Sequence, residues 1–324
     1  MQLQQMENNF LIPEREVITQ KSKTFIKANT KNVSLLHLKA DCTIPVFSKD
    51  NECTMAHHEF INAVSQSVET VFSGHQILKP EIRISHVVKG RIPEAIGKPV
   101  KELTEKDKTI YYERMMFKID VPSIVEHING NELNLTIGGV RAYNQENLYS
   151  KKNYEKFKVF IGFKNLVCTN LCVSSDGIVE ELRASSLDEL KLKILELLGN
   201  YEVQNHLNSL RALSDKKLSE QQFAKFLGKC RMYNYLPKTE KNRVPELLLN
   251  DGQINTIVKG YYEDENFKRA DDGSISLWNV FNLFTGANKS SYIDTFLGRS
   301  LNSHELMQKL ASSMHSGNQN WYLN

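Results

Sequence analysis

The chain has 324 residues, 40% of them apolar and 24% charged, and a formal net charge of +3. This is the composition of a globular protein with a sizeable core, which excludes a disordered or fibrous chain. With so small a net charge, a nucleic-acid interface has to arise from a local cluster and not from the total.

The opening MQLQQMENNFLIPERE has neither a basic n-region nor an apolar h-region, so no signal peptide is expected. No apolar run approaches the ~18 residues that cross a bilayer, and no membrane association is expected. The cysteines are Cys42, Cys53, Cys168, Cys172 and Cys230, an odd number that fits a reducing, cytoplasmic setting with free thiols. Cys168 and Cys172 lack a second Cys/His pair at zinc spacing, so neither a metal nor a cofactor is expected.

Residues 1–30 are polar, without a sustained period, and read as a flexible N-terminal arm. Leu35, Leu36, Leu38 and the run Thr43–Phe47 suggest a short strand pair interrupted by Pro45. Over residues 55–72, Phe60, Ile61, Val64, Val68, Val71 and Phe72 form one helical face, with Thr54 as N-cap and Gly74 as the stop. His57 and His58 fall in its first turn and are expected to be solvated.

The period then changes to two. In PEIRISHV, Ile82 and Ile84 oppose Arg83 and Ser85. RIPEAIGKP, with two prolines, reads as a long loop. In ERMMFKIDV, Met115, Phe117, Ile119 and Val121 oppose Arg114, Met116, Lys118 and Asp120. In ELNLTIGG, Leu133, Leu135 and Ile137 point inward, Asn134 and Thr136 outward, and Gly138-Gly139 suggests a bulge. Over 156–164, Phe157, Val159, Ile161 and Phe163 oppose Lys156, Lys158, Phe160, Gly162 and Lys164. NLVCTNLCV reads as a further strand, closed by a turn at 174–177.

From about residue 185 the period is 3.6. Ser186 with Glu189, and Ser219 with Gln222, form capping boxes ahead of two helices, and Pro245 opens a short third, PELLLN. Residues 253–263 carry another helical pattern. ISLWNVFNLFTGANKSS is apolar nearly all round, marking a buried helix with Asn279 and Asn282 on one stripe and Gly286 as a left-handed cap. A short helix with Tyr292, Ile293, Phe296 and Leu297 follows, ending at Gly298, then a last one capped by Asn302 and Glu305. Strands followed by helices predict an α+β fold: an N-terminal antiparallel sheet with a packed helix, then a mostly helical C-terminal part. The expected division is an arm at 1–30, a sheet domain with a basic outer face at 31–180 and a helical region at 181–324.

The strongest constellation is electrostatic. Alternation sends Arg83, Arg114, Lys118, Lys156, Lys158 and Lys164 to the non-core side of one sheet, with Lys151, Lys152, Arg141 and Tyr143 nearby and Phe160 among the lysines. Cations interleaved with an aromatic are the pattern of a single-strand platform, in which lysines track phosphates and the ring stacks a base. These residues are the expected nucleic-acid contacts. Enzyme signatures are weak: GxGxxG, GxxxxGK[ST] and GxSxG are all missing, and no catalytic residue is assigned. TGANKSS has only the flavour of a phosphate loop. Glu59, Glu81, Glu113 and Asp120 are the carboxylates that a metal-dependent nuclease would have to assemble.

GGVRAYNQENLY, KVFIGFKNLVCTNLCV and SLWNVFNLFTGANKSSYIDTFLGR occur in that order. With them, the chain resembles a family of uncharacterised phage/plasmid-like proteins of mobile genetic elements, a domain of unknown function. SHVVKGRIPEAIGKP and YYERMMF look like a subgroup from anaerobic gut-type bacteria. The resemblance covers roughly residues 55–312 and carries over no catalytic residue. It implies a mobile-element setting, and with it nucleic acid or host defence. The expectation is a protein that binds nucleic acid, single-stranded DNA first, through the lysine-bearing sheet face, its helical half serving homo-oligomerisation or a protein partner. The alternatives are an interaction protein that inhibits a host defence factor, and a metal-dependent nuclease.

Overall fold

The computed structural model describes residues 24–42, 54–95, 97–145 and 154–324. Strand β1 (Lys31–Val33) and helices α1 (Leu35–Ala40) and α2 (His57–Val71) precede β2 (Glu81–Arg91), β3 (Lys108–Ile128) and β4 (Asn131–Ala142). β5 (Glu155–Asn165), β6 (Leu171–Cys172) and β7 (Ile178–Ala184) complete the sheet. Then come α3 (Leu187–Asn200), α4 (Val203–Ser214), β8 (Lys217–Leu218), α5 (Glu220–Tyr235), α6 (Lys238–Lys241) and α7 (Asp251–Glu263). β9 (Ile275–Ser276), α8 (Leu277–Asn288) and α9 (Ile293–Ser316) end the series. The fold is α+β, antiparallel sheet first and helices after.

The sheet runs β1-β2-β3-β4-β5, and both β6 and β7 pair with β5. Period-two patterning sets its register. Phe117 faces Gly139, which faces Val159, so the inner-face residues of three strands meet side by side. That face, with Met115, Phe117, Ile137, Val159 and Phe163, packs on the helices in one main core. Phe60 of α2 joins it with its ring 5.3 Å from Phe117 and 4.8 Å from Phe157. Each such ring or branched side chain contributes about 1.5–3 kcal/mol by leaving water. The core runs on through Leu190, Leu210, Phe226, Ile257 and Trp278, across the boundary expected at residue 180.

The opposite face is not open. Met116, Val140, Phe160 and Leu171 form a second, smaller core with Phe25, Ile26, Ile293, Phe296 and Leu297. The first turns of α9 therefore cover the outer face, while Leu306, Met307 and Leu310 further along the same helix belong to the main core. Residues 24–30, expected in a loose arm, include the buried Phe25 and Ile26, and Lys27 N donates to Lys289 O (2.7 Å).

Several local expectations are corrected. Leu35–Ala40 is a helix capped by Ser34 and not a strand; Thr43–Phe47 lies outside the described residues. The N-cap of α2 is Ala56 and not Thr54, and the Glu59 carboxylate accepts from Ala56 N at 2.6 Å. His57 is buried, hydrogen-bonded to Tyr112 O (2.7 Å) through Nε2 and stacked on Tyr143. NLVCTNLCV holds the last residue of β5, Asn165, and the two of β6, and is no strand of its own length. Ser186 caps α3, but the Glu189 carboxylate turns to Ser185. Residues 245–250 form neither helix nor strand, with Leu247 and Leu249 buried and Leu248 out. Gly286 lies inside α8, and the two helices expected after it are one 24-residue helix running through Gly298 and Asn302. Asn302 caps nothing: its amide binds Leu248 N and Glu246 O at 2.9 and 3.0 Å, holding that segment against α9.

Gly138 and Gly139 sit in unbroken register, not at a bulge. A Cβ on Gly138 would lie 2.8 Å from the Phe160 ring, and one on Gly139 2.5 Å from that of Phe60. The pair leaves room for the end of one ring on each face of β4.

Candidate nucleic-acid interface

The sheet cations that alternation aligns are consumed by partners. Lys118, 5% exposed, donates to Glu81 (2.7 Å) and Asp120 (2.9 Å), and Lys164 donates to the same Asp120. Burial penalises the charge on Lys118, yet Asp120 and Glu81 outweigh it and its pKa is raised. Burial and repulsion from Lys118 lower that of Lys164. Burial opposes the Asp120 charge in turn, but Lys118 and Lys164 prevail and its pKa is lowered. A buried triad of this kind is held by its own charges and leaves no cation for a phosphate.

Arg141, 1% exposed, pairs with Glu155 between the rings of Tyr143 and Phe157, 4.8 and 4.3 Å from the guanidinium. Tyr143 is buried too, its hydroxyl donating to Met55 O (3.2 Å). Arg83 donates to the carbonyl and hydroxyl of Thr30. Arg114 lies between Glu113 (3.5 Å) and Asp294 (3.8 Å), with its guanidinium over Tyr292. Lys158 donates to Asp294 O at 3.0 Å. Lys156 keeps 43% of its side chain exposed and is paired to Glu181 at 2.6 Å. Phe160, expected to be an exposed stacking ring, is 1% exposed beneath α9. Lys151 and Lys152 lie outside the described residues. The open platform is thus corrected: the alternation is right, but α9 and the 25–26 segment cover the face it was expected to expose.

The carboxylates named for a nuclease do not converge either. Glu59 caps α2, Glu81 and Asp120 share Lys118, and Glu113 stands beside Arg114 and His86. Lys289 of TGANKSS is buried, donating to Cys168 O and Thr169 Oγ1.

Unneutralised charge lies elsewhere. Residues 225–243, KFLGKCRMYNYLPKTEKNR, hold Lys225, Lys229, Arg231, Lys238, Lys241 and Arg243 against one carboxylate, Glu240. Helix α5 forms here because Ser219 and Gln222 cap it reciprocally and Phe223, Phe226, Leu227, Cys230 and Tyr233 give it one buried face. The other face carries Lys225, Gly228, Arg231, Met232 and Tyr235, all exposed. Pro237 ends the helix, and α6 with its flanks returns Lys238, Lys241 and Arg243. Among the described residues, none of the six cations lies within 4.0 Å of a carboxylate oxygen. Lys229 sits over the Trp321 ring at 4.7 Å, and Lys241 over Tyr233 at 5.2 Å.

Tyr235 is 79% exposed and Met232 56%. The Tyr235 hydroxyl donates to Asp251 (2.8 Å), whose other oxygen accepts from Asn234 (2.9 Å). Those two hydrogen bonds, with Arg231 nearby, hold the Asp251 carboxyl below the ordinary range. The ring is fixed at its polar end while its faces stay in solvent. The charge excess is visible in the sequence as six cations in nineteen residues, but the helical pattern draws attention to the apolar face alone.

No curated protein and no solved structure matches the chain. Among the described residues, no helix is long and apolar enough to cross a membrane. The family model described as "Domain of unknown function, B. Theta Gene description (DUF3871)" matches residues 5–323, nearly end to end, and the chain belongs to that family.

Proposed function

We propose that this protein binds single-stranded nucleic acid along the outer face of α5 and α6. What supports this is one observation: six cations without carboxylate partners among the described residues share α5, α6 and their flanks with an exposed, hydrogen-bonded tyrosine. Cations that already have carboxylates gain little from a phosphate, whereas unpaired ones release the strand's counterions on binding. An exposed ring anchored at one end is a low-entropy stacking surface for a base. Gly228 fits the same use, since a Cβ there would meet nothing within 4 Å and the bare backbone lets a chain approach closely. The resemblance to phage/plasmid-like proteins suggests a strand from a mobile element, handled in the cytoplasm.

Fluorescence anisotropy with a labelled oligonucleotide across a salt series tests this. Lys225→Glu with Arg231→Glu should weaken binding and flatten the slope of log affinity against log salt by ~0.7 for each phosphate no longer neutralised. Tyr235→Ala should cost ~1–3 kcal/mol of stacking with the slope unchanged. Wild-type protein with no affinity at low salt would overturn the proposal and leave these cations to an acidic protein partner.

A further inference from the structure

A second basic cluster uses none of the α5 cations. Strands β8 and β9 pair with Lys217 opposite Ser276, and Leu277 N donates to Lys216 O (2.8 Å), which sets the start of α8 beside Lys217. The chain enters β9 through a tight turn. There Ala270 N donates to Ser274 O (2.8 Å) and Gly273 N to Ala270 O (3.0 Å), with Gly273 at a φ of 80° that glycine alone adopts freely. Asn279 ties this segment to the helix, its Nδ2 donating to Lys268 O at 3.3 Å. Lys217, Lys268 and Arg269 are thereby gathered around one cleft of about 300 Å³, with Ser276 and Asn279 from the start of α8 on its wall.

Among the described residues, no carboxylate lines this cleft. Lys217 and Lys268 are exposed, and neither lies within 4.0 Å of a carboxylate oxygen of those residues. Arg269 is 3.8 Å from Glu220, beyond hydrogen-bonding distance, with its guanidinium over Tyr261 and Tyr262. Asp271 and Asp272 belong to the turn but not to the lining. Asp272 Oδ1 accepts from Ser274 N (2.9 Å); hydrogen bonds from Ser274 and then the charge of Lys217 hold that carboxyl below its ordinary range. Ser276 Oγ accepts from Asn279 N (3.1 Å), which leaves its O–H to donate. Helix α8 begins at the cleft, and the partial charge of its N-terminus adds to a field that the side chains already set.

We infer that this cleft binds the phosphate group of a small phosphate monoester. Cations without a lining carboxylate select an anion. Three of them favour a group that carries close to two negative charges at neutral pH, as a phosphate monoester does, over a carboxylate with one. The terminal oxygens of a phosphate only accept, and the cleft supplies donors: two ammonium groups, a guanidinium and the Ser276 hydroxyl. Its volume lies at the small end of the roughly 300–1,000 Å³ of ligand sites, which suits a phosphate on a short carbon chain. This site does not rest on the α5 reading, since its cations are a different set.

Isothermal titration of the full chain with glycerol phosphate, glycerol and inorganic phosphate, at an ionic strength fixed with sodium chloride, tests the inference. Glycerol phosphate should bind, glycerol should not, and inorganic phosphate should compete. Lys217→Gln with Lys268→Gln should weaken glycerol phosphate by at least about tenfold, for the charged hydrogen bonds lost. The thermal midpoint should be kept, because both side chains are exposed. Lys217→Arg with Lys268→Arg should retain binding. The α5 charge-reversal variant should bind glycerol phosphate like wild type, which separates failure of one site from failure of the other. Once glycerol phosphate binds, a single strand with a terminal phosphate is compared with its hydroxyl-ended twin. Tighter binding of the phosphorylated strand, lost in the Gln variant, would assign the site to strand ends; equal binding would assign it to a free phosphorylated small molecule. Wild type that binds glycerol phosphate no better than glycerol at millimolar concentration, or a folded Gln variant that binds it as tightly as wild type, would overturn the inference.

Discussion

Phe160 carries opposite expectations under the two accounts of the sheet face. As an exposed stacking ring its loss would spare stability; as a ring 1% exposed between Gly138 and α9 its loss leaves a cavity. Phe160→Ala is therefore expected to cost about 3–5 kcal/mol, read from urea denaturation, and to leave any salt slope of strand binding unchanged. A loss below ~1 kcal/mol would mean the ring does not fill the second core. The inward set Phe157, Val159, Ile161 and Phe163 is legible from alternation alone, because a strand forces successive side chains to opposite faces. The fate of the outward set is not. Lys118 and Lys164 find Asp120, and Phe160 finds Phe296, through pairings between distant strands and helices that spacing does not encode.

At the scale of elements, α5 and α9 show what capping and composition can and cannot say. The spacing of Ser219 and Gln222 predicts a capping box and they form one, because both partners lie within a single turn. The same reasoning makes Asn302 a cap and fails, because its amide is worth more holding Leu248 N and Glu246 O of a segment far back in the chain. Gly298 likewise sits within α9, where packing on two cores overrides its low helix propensity. Gly228 offers a direct measurement. It lies in the middle of α5 with open space around it, so Gly228→Ala should raise stability by about 0.5–1 kcal/mol in thermal or chemical denaturation. The same methyl group should weaken strand binding if the nucleic acid lies against the helix backbone. A destabilised variant would show that the glycine meets a structural demand.

Over the whole molecule, acid should be the weak direction. His57, His206 and His304 are all buried, at 4%, 2% and 5% exposure. Burial holds His304 down to about 4 and His57 to about 3; burial and the neighbouring His304 hold His206 well below its ordinary value. In the unfolded chain each would titrate near the ordinary ~6.5. Between about pH 6.5 and pH 4 the unfolded state thus binds protons that the native state refuses. Stability is fully present above that window and falls as pH drops through it, by up to ~1.4 kcal/mol per pH unit for each histidine. The urea midpoint at pH 5 should lie clearly below that at pH 7. A flat profile would mean that these rings take up protons in the native state.

The placement of α9 also sets an order of events. The sheet residues Met116, Val140 and Phe160 are covered by Ile293, Phe296 and Leu297, which the ribosome makes well over a hundred residues later. A growing chain carries a half-finished sheet, apolar on both sides, for on the order of ten seconds at ordinary elongation rates. During that interval it resembles a client for a chaperone more than a folded domain, and closing the second face has to await the synthesis of residues 293–297.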